Sequence, residues 1–98
     1  MISENHDSVY VTLDELAAIA AIEKGRAEEY IGTGWIESFD VPSGKAYKRA
    51  DAEKLVKAEG ICRDFSVSPL AGAIITDLMD KVEALEERIA RLEAERIG

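Results

Sequence analysis

Between Ala71 and Leu92 the apolar residues Ala71, Ile75, Leu78, Val82, Leu85, Ile89 and Leu92 recur at alternating steps of four and three. That period of 3.5 residues belongs to an α-helix whose apolar stripe meets another helix along its whole length. Ser68-Pro69 supplies an N-cap and a first-turn proline just ahead of it. The spacing therefore predicts one helix over residues 68–98. Asp77–Lys81, Glu87–Arg91 and Arg91–Glu95 stand i,i+4 and are expected to brace its outer face. The preceding residues form too small a head to cover a stripe that reaches Leu92. Ile75, Leu78, Val82, Leu85, Ile89 and Leu92 are thus read as a self-association seam, and the chain as a homodimer.

The head occupies residues 9–67 and follows a polar, aperiodic stretch over residues 1–8 read as a mobile tail. Val9, Tyr10 and Val11 suit a short strand. Thr12-Leu13-Asp14-Glu15 is a capping box, in which hydroxyl and carboxylate each satisfy a backbone N–H at a helix start. A helix to about Ala21 would present Leu13, Leu16, Ala17 and Ala20 on one face. A second helix is expected over Glu23–Ile31, with Gly32 at the position after the helix where a positive φ costs little. Two short helices across a tight turn form a helix-turn-helix unit. Gly34–Phe39 alternates and reads as a strand, with Trp35 and Phe39 on one face and Trp35 against the second helix. Val41-Pro42-Ser43-Gly44 is turn chemistry, and Lys45–Lys48 returns as the second strand of a wing-like hairpin. A third helix is expected over Asp51–Asp64, with Ala52, Leu55, Val56, Ala58 and Cys62 inward. Phe65 is expected to tuck inward after it. The fold class is mainly α with a small β-hairpin: a winged helix-turn-helix head followed by a long C-terminal heptad helix.

Charge narrows the partner. The chain carries 20 acids against 12 bases, a net charge of −8. Residues 1–40 hold nine acids against Lys24 and Arg26, so nearly the whole deficit lies in the first two helices and what flanks them. Residues 41–68 are slightly basic. A DNA-reading helix-turn-helix holds phosphates with Lys and Arg around its second helix, and each contact gains by releasing counterions. Here that helix carries more acid than base. Lys45, Lys48 and Arg49 on the wing are the best case for DNA, and a solvated hairpin explains them more simply. An acidic surface steers basic partners toward itself.

Chemistry is sparse. The one histidine, His6, lies in the tail, and the one cysteine, Cys62, allows no intrachain disulfide and reads as a small buried helix residue. The two form no metal cluster. No nucleophile–base set can be assembled, so no catalytic residue, cofactor or enzymatic role is expected. One cysteine and no leader segment suggest the reducing cytoplasm. The longest apolar run, Leu16–Ile22, is far too short to cross a bilayer.

The stretch Thr12–Leu16, Tyr30–Glu37 and Tyr47 resembles a MerR-type winged helix-turn-helix head. More closely, the chain resembles the chaperone modulators of the CbpM family. That likeness rests on the T-x-x-E-[FL] helix start, the [IV]-G-x-G-[VW]-[VI]-E turn at Ile31–Glu37, and Leu78-Met79-Asp80-Lys81-Val82-Glu83-Ala84-Leu85 leading into the terminal heptads. It covers residues 9–95. The resemblance implies a protein that binds the J-domain of a DnaJ-like co-chaperone, CbpA, and blocks its stimulation of DnaK. A J-domain presents a basic helix, which suits Glu23, Glu28, Glu29, Glu37 and Asp40 as partner-binding residues. The alternative implied by the MerR likeness is a DNA-binding transcriptional regulator reading half-sites with the second helix and the wing. A third reading is a dimerisation module for some other basic protein. One departure stands out: the turn between the first two helices reads Ala20-Ala21-Ile22, without glycine, and Gly25 lies inside the second helix instead.

Overall fold

The computed structural model describes residues 9–97. The tail read over residues 1–8, His6 included, and Gly98 lie outside the described residues. The order of elements is β1 (Tyr10–Val11), α1 (Leu13–Ala20), α2 (Lys24–Gly32), β2 (Ser38–Val41), β3 (Gly44–Lys48), α3 (Asp51–Phe65) and α4 (Pro69–Ile97). This is the mainly helical class expected, with a winged helix-turn-helix head and a long C-terminal helix. The wing is a three-stranded antiparallel sheet in the order β1-β3-β2, because Tyr10–Val11 adds to the outer edge of the hairpin.

The capping box forms as read. Thr12 Oγ1 accepts from the Glu15 N–H at 3.1 Å, and Glu15 Oε1 accepts from the Thr12 N–H at 2.8 Å. Leu16, Ala17 and Ala20 are buried on the inner face of α1. The helix stops at Ala21, which takes the left-handed conformation (φ 60°, ψ 42°) and donates its N–H to the carbonyls of Ala17 and Ala18. The turn is thus built with an alanine in a conformation that favours glycine.

Three expectations about the next segment change. Helix α2 runs through Gly32, so the left-handed turn falls at Gly34 (φ +85°). The strand consequently begins at Ser38 and not at Gly34. Thr33 ties the turn down: its hydroxyl donates to the Tyr30 carbonyl at 2.6 Å and accepts from the Trp35 N–H at 3.2 Å. Trp35 therefore lies outside the sheet and shares no strand face with Phe39. Phe39 packs edge-on against Tyr10 across the outer face of the sheet, ring centroids 5.4 Å apart.

The core gathers Val11 and Tyr47 from the sheet, Leu16 and Ala20 from α1, Tyr30 from α2, Ile36 from the connector, and Ala52, Leu55, Ala58 and Cys62 from α3. Cys62 is the buried helix residue expected. Val56 is not inward; it is half-exposed beside the Leu55 stripe. Phe65 does not tuck in either and is 70% exposed. Ser66 takes a left-handed conformation (φ 55°) and reverses the chain, so Val67 packs against the core in its place.

Helix α4 begins as read, with Ser68 Oγ accepting from the Ala71 N–H at 3.2 Å and Pro69 in the first turn. Its first turns press on α3 through Gly72, Ala73 and Thr76, all buried. The approach is so close that a Cβ on Gly72 would lie 2.6 Å from Cys62 Sγ and 3.0 Å from the Ala58 carbonyl oxygen. From residue 77 onward every residue described is exposed. At 1.5 Å per residue, most of a helix some 40 Å long therefore stands clear of the head.

Candidate functional site

Each lysine of the head stands beside a carboxylate of the chain. Lys24 Nζ lies 3.5 Å from Asp14, Lys45 Nζ 2.6 Å from Asp40, Lys48 Nζ 3.9 Å from Glu37, Lys54 Nζ 3.8 Å from Asp51 and Lys57 Nζ 3.3 Å from Asp80. Apart from Lys54–Asp51, whose carboxylate is buried, these pairs are exposed and add little to stability. They matter for the field, because each sets a negative charge beside the positive one a phosphate would need. Lys45 and Asp40 show this most plainly. Hydrogen bonding and charge attraction hold the Asp40 carboxyl below the usual range and push the Lys45 ammonium above its own.

Arg26 is withdrawn further. Its guanidinium Nε donates to both carboxylate oxygens of Glu59 on α3, at 2.8 and 3.1 Å, and its Nη1 donates to Glu29 at 3.0 Å. Tyr30, fully buried one turn later, donates its hydroxyl to Glu59 Oε1 at 2.7 Å and lies 3.3 Å from Cys62 Sγ. The Cys62 thiol donates to the Ser68 carbonyl at 3.3 Å, at the start of α4. One polar chain thus joins α2, α3 and the α4 N-cap. The hydrogen bond to Glu59 raises the Arg26 pKa, overcoming the opposing effect of burial. Burial raises the Tyr30 phenol, with the Cys62 and Glu59 hydrogen bonds adding to it. For Glu59, burial pushes upward, but hydrogen bonds from Arg26 and Tyr30 and the charges of Arg26 and Arg63 outweigh it and hold the carboxyl below the ordinary range.

The five acids read as partner-binding are all solvent-exposed. Glu23 is the N-cap residue of α2 and makes no side-chain capping bond; Glu28 and Glu29 lie on the helix itself. Glu37 precedes β2 and Asp40 lies in it. Glu29, Glu37 and Asp40 are each engaged by a cation of the head. Glu23 and Glu28 form no ion pair among the described residues, and they are the least neutralised of the five.

The heptad seam is bare. Ile75 is half-buried at the head end, and Leu78, Val82, Leu85, Ile89 and Leu92 are each 53–56% exposed. The head packs on the opposite side of α4. Between α3 and α4 opens a groove of about 640 Å³, its apolar walls formed by Ile61, Ile75, Leu78, Met79 and Val82. The expected i,i+4 braces Asp77–Lys81, Glu87–Arg91 and Arg91–Glu95 do not form ion pairs among the described residues. Asp77 is engaged instead by the Trp35 indole, whose Nε1 donates to both carboxylate oxygens at 3.0 and 3.1 Å. Trp35 also meets Tyr30 of α2, ring centroids 6.1 Å apart, and Lys54 Nζ stands 5.5 Å over its ring. Its contact with the second helix is as expected; its tie to α4 is not.

Sequence reasoning missed the roles of Glu59 and Gly72, which fix α2 and α4 to α3, and of Asp77, which ties the Trp35 connector to α4. Glu59 and Asp77 look like any of the chain's many surface acids until the fold sets Arg26 and Trp35 against them. Gly72 carried a faint signal, as a poor helix former in the first turn of an otherwise strong helix.

Among the described residues no helix is long and apolar enough to cross a membrane. Residues 11–94 match the family described as MerR HTH family regulatory protein. No curated protein and no solved structure matches the chain.

Proposed function

The chain belongs to the MerR HTH family of regulatory proteins, and within that family we propose that it works by binding a protein and not DNA: a chaperone modulator of the CbpM kind, paired with a second copy through α4. It docks on the basic J-domain of a DnaJ-like co-chaperone and withholds that domain from DnaK. The observation that carries the reading is the engagement of Arg26 by Glu59 and Glu29. In a DNA reader the second helix turns its arginine outward to phosphate or a base edge. Here the only arginine of α2 is part-buried and committed to Glu59 and Glu29, while Glu23 and Glu28 face solvent. The motif Leu78–Leu85, leading into the terminal heptads, supports the narrower assignment to chaperone modulators. Acidity alone would suit another basic protein equally well.

The family match also favours the second reading, a DNA-binding transcriptional regulator. Lys45 and Lys48 would have to leave Asp40 and Glu37 to touch phosphate, which lowers the net gain of each contact.

Co-purification with a J-domain protein separates the readings. Capture at low salt that weakens as salt rises supports a charge-guided protein complex. No capture at low salt contradicts it, and retardation of duplex DNA near physiological salt would restore the regulator.

A further inference from the structure

Ahead of α4, the large apolar side chains exposed among the described residues are Val9, Tyr10, Ile19, Val41, Val56 and Phe65. Half of them, from three separate segments, meet in one groove. Val9 beside the sheet, Ile19 on α1 and Val56 on α3 line a cleft of about 640 Å³, with Ala50 and Ala52 between them. Single apolar residues scattered on a surface need no explanation, but a shared concave patch rimmed by charge marks a binding surface. Neither the core nor helix propensity accounts for these residues. Leu55 enters the core while Val56 stands outside it, and β-branched residues are mediocre helix formers at exposed positions.

The rim of this groove is cationic. Lys48 ends β3, and Arg49 follows it; both line the cleft. Lys48 is the most loosely held lysine of the head, 3.9 Å from Glu37, where the other four stand 2.6–3.8 Å from their carboxylates. Ala50, also in the lining, is the N-cap residue of α3 and supplies no side-chain cap. The positive end of the helix dipole therefore adds to the two cations. Glu53 is the one acid in the lining and forms no ion pair among the described residues. Two cations against one acid leave the lining net positive on a chain of net charge −8. Charges farther than about 8 Å are screened at physiological ionic strength, so this local sign governs what docks here.

From the apolar floor and its cationic rim we propose that this groove docks an amphipathic helix of a partner protein, one that carries carboxylates beside its apolar ridge. Ridge residues spaced i, i+3 or i+4, and i+7 lie on Val9, Ile19 and Val56, as in helix-in-groove recognition. The flanking carboxylate meets Lys48 and Arg49. Duplex DNA brings the charge without the ridge, and the basic surface of a J-domain brings the opposite charge. The groove is therefore a second surface, distinct from the acids Glu23 and Glu28, and it does not depend on the J-domain reading. A head with both surfaces bridges two proteins of opposite local charge.

The probe is a displayed library of helical peptides of about three to four turns, selected on the full chain at low salt. Enriched peptides are then titrated by fluorescence anisotropy. The proposal expects them to share apolar residues at i, i+3 or i+4, and i+7 with Asp or Glu alongside. Val56→Asp and Ile19→Asp should each weaken the best peptide about tenfold or more, because each sets a carboxylate in the apolar floor. Lys48→Glu should weaken it about three- to tenfold, and the loss should shrink as salt rises. Thermal melts of the variants verify the fold, and Val56→Ser serves in place of an aspartate variant that does not fold. Enrichment of basic peptides, or of none, overturns the proposal, as does binding that survives Val56→Asp and Ile19→Asp. Removal of residues 1–8 that tightens peptide binding about tenfold assigns the groove to the chain's own N-terminal segment and overturns it too. So does a change in the oligomeric mass of the chain alone in Val56→Asp, which assigns the groove to a second copy.

Discussion

Arg26 Nε lies 2.8 Å from one carboxylate oxygen of Glu59 and 3.1 Å from the other, across 33 residues of sequence. The pair fixes α2 on α3 and occupies, in a part-buried setting, the side chain that a nucleic-acid reader would display. Tyr30, donating to the same carboxylate, makes Glu59 the acceptor for two side chains of one helix.

Removing that acceptor strands both donors. Glu59→Ala is expected to cost about 2–3 kcal/mol, because a part-buried guanidinium and a buried phenol lose their partner. Urea unfolding would show the midpoint falling with little change in slope. Glu59→Gln, which keeps one acceptor oxygen, should cost less.

The same carboxylate gives stability a pH dependence of defined sign. The folded state holds Glu59 below its unfolded value, which is about 4.3. The stabilisation is therefore fully present above that value and is lost as pH falls through the lower, folded pKa. Thermal melts from pH 7 to pH 3 should show Tm falling on the acid side, with a shallower acid limb in Glu59→Gln.

Gly72 sets the distance between α3 and α4. Gly72→Ala places a methyl against Cys62 Sγ and the Ala58 backbone and is expected to cost about 1–3 kcal/mol by overpacking. Because Trp35 reports on α4 through Asp77, its fluorescence should also change. A variant of unchanged stability and unchanged emission would show that α4 can shift away freely.

Ala21 offers the opposite sign. Its left-handed conformation suits glycine better than any residue with a Cβ, so Ala21→Gly is expected to stabilise by about 0.5–1 kcal/mol. For a domain of this size that is a rise of about 2–8 °C in Tm.

The sequence shows local structure where a short-range rule decides it. Thr12 and Glu15 cap α1 because the interaction spans three residues. Ser68-Pro69 starts α4, and the period of 3.5 marks its seam, for the same reason. What stays hidden depends on tertiary approach. Nothing in the neighbourhood of Glu59 or Asp77 reveals that Arg26 and Trp35 will arrive from 33 and 42 residues away. The strand read over Gly34–Phe39 fails because its alternation also fits a left-handed turn at Gly34 followed by an indole docked on α4. Phe65 is misplaced because hydrophobicity reports what prefers burial, and the reversal at Ser66 decides which residue obtains it. For the interaction surface, the sequence shows total charge but not which acids are already engaged; only the structure separates Glu23 and Glu28 from Glu29, Glu37 and Asp40.

That separation predicts a hierarchy in partner binding. Glu28→Lys should weaken a J-domain complex more than Asp40→Asn does, since Asp40 already faces Lys45. Both should act through association rate and salt dependence, leaving the folded state unchanged. Stopped-flow association at two salt concentrations measures this.

The central claim is that this helix-turn-helix head restrains a co-chaperone. Its most direct test is the ATPase of DnaK, stimulated by a J-domain protein and titrated with the full chain. The account predicts that stimulation falls toward the basal rate as the chain saturates the J-domain, and that raising the salt concentration shifts the titration to higher concentrations. Stimulation that stays constant through a large molar excess at low salt would contradict it.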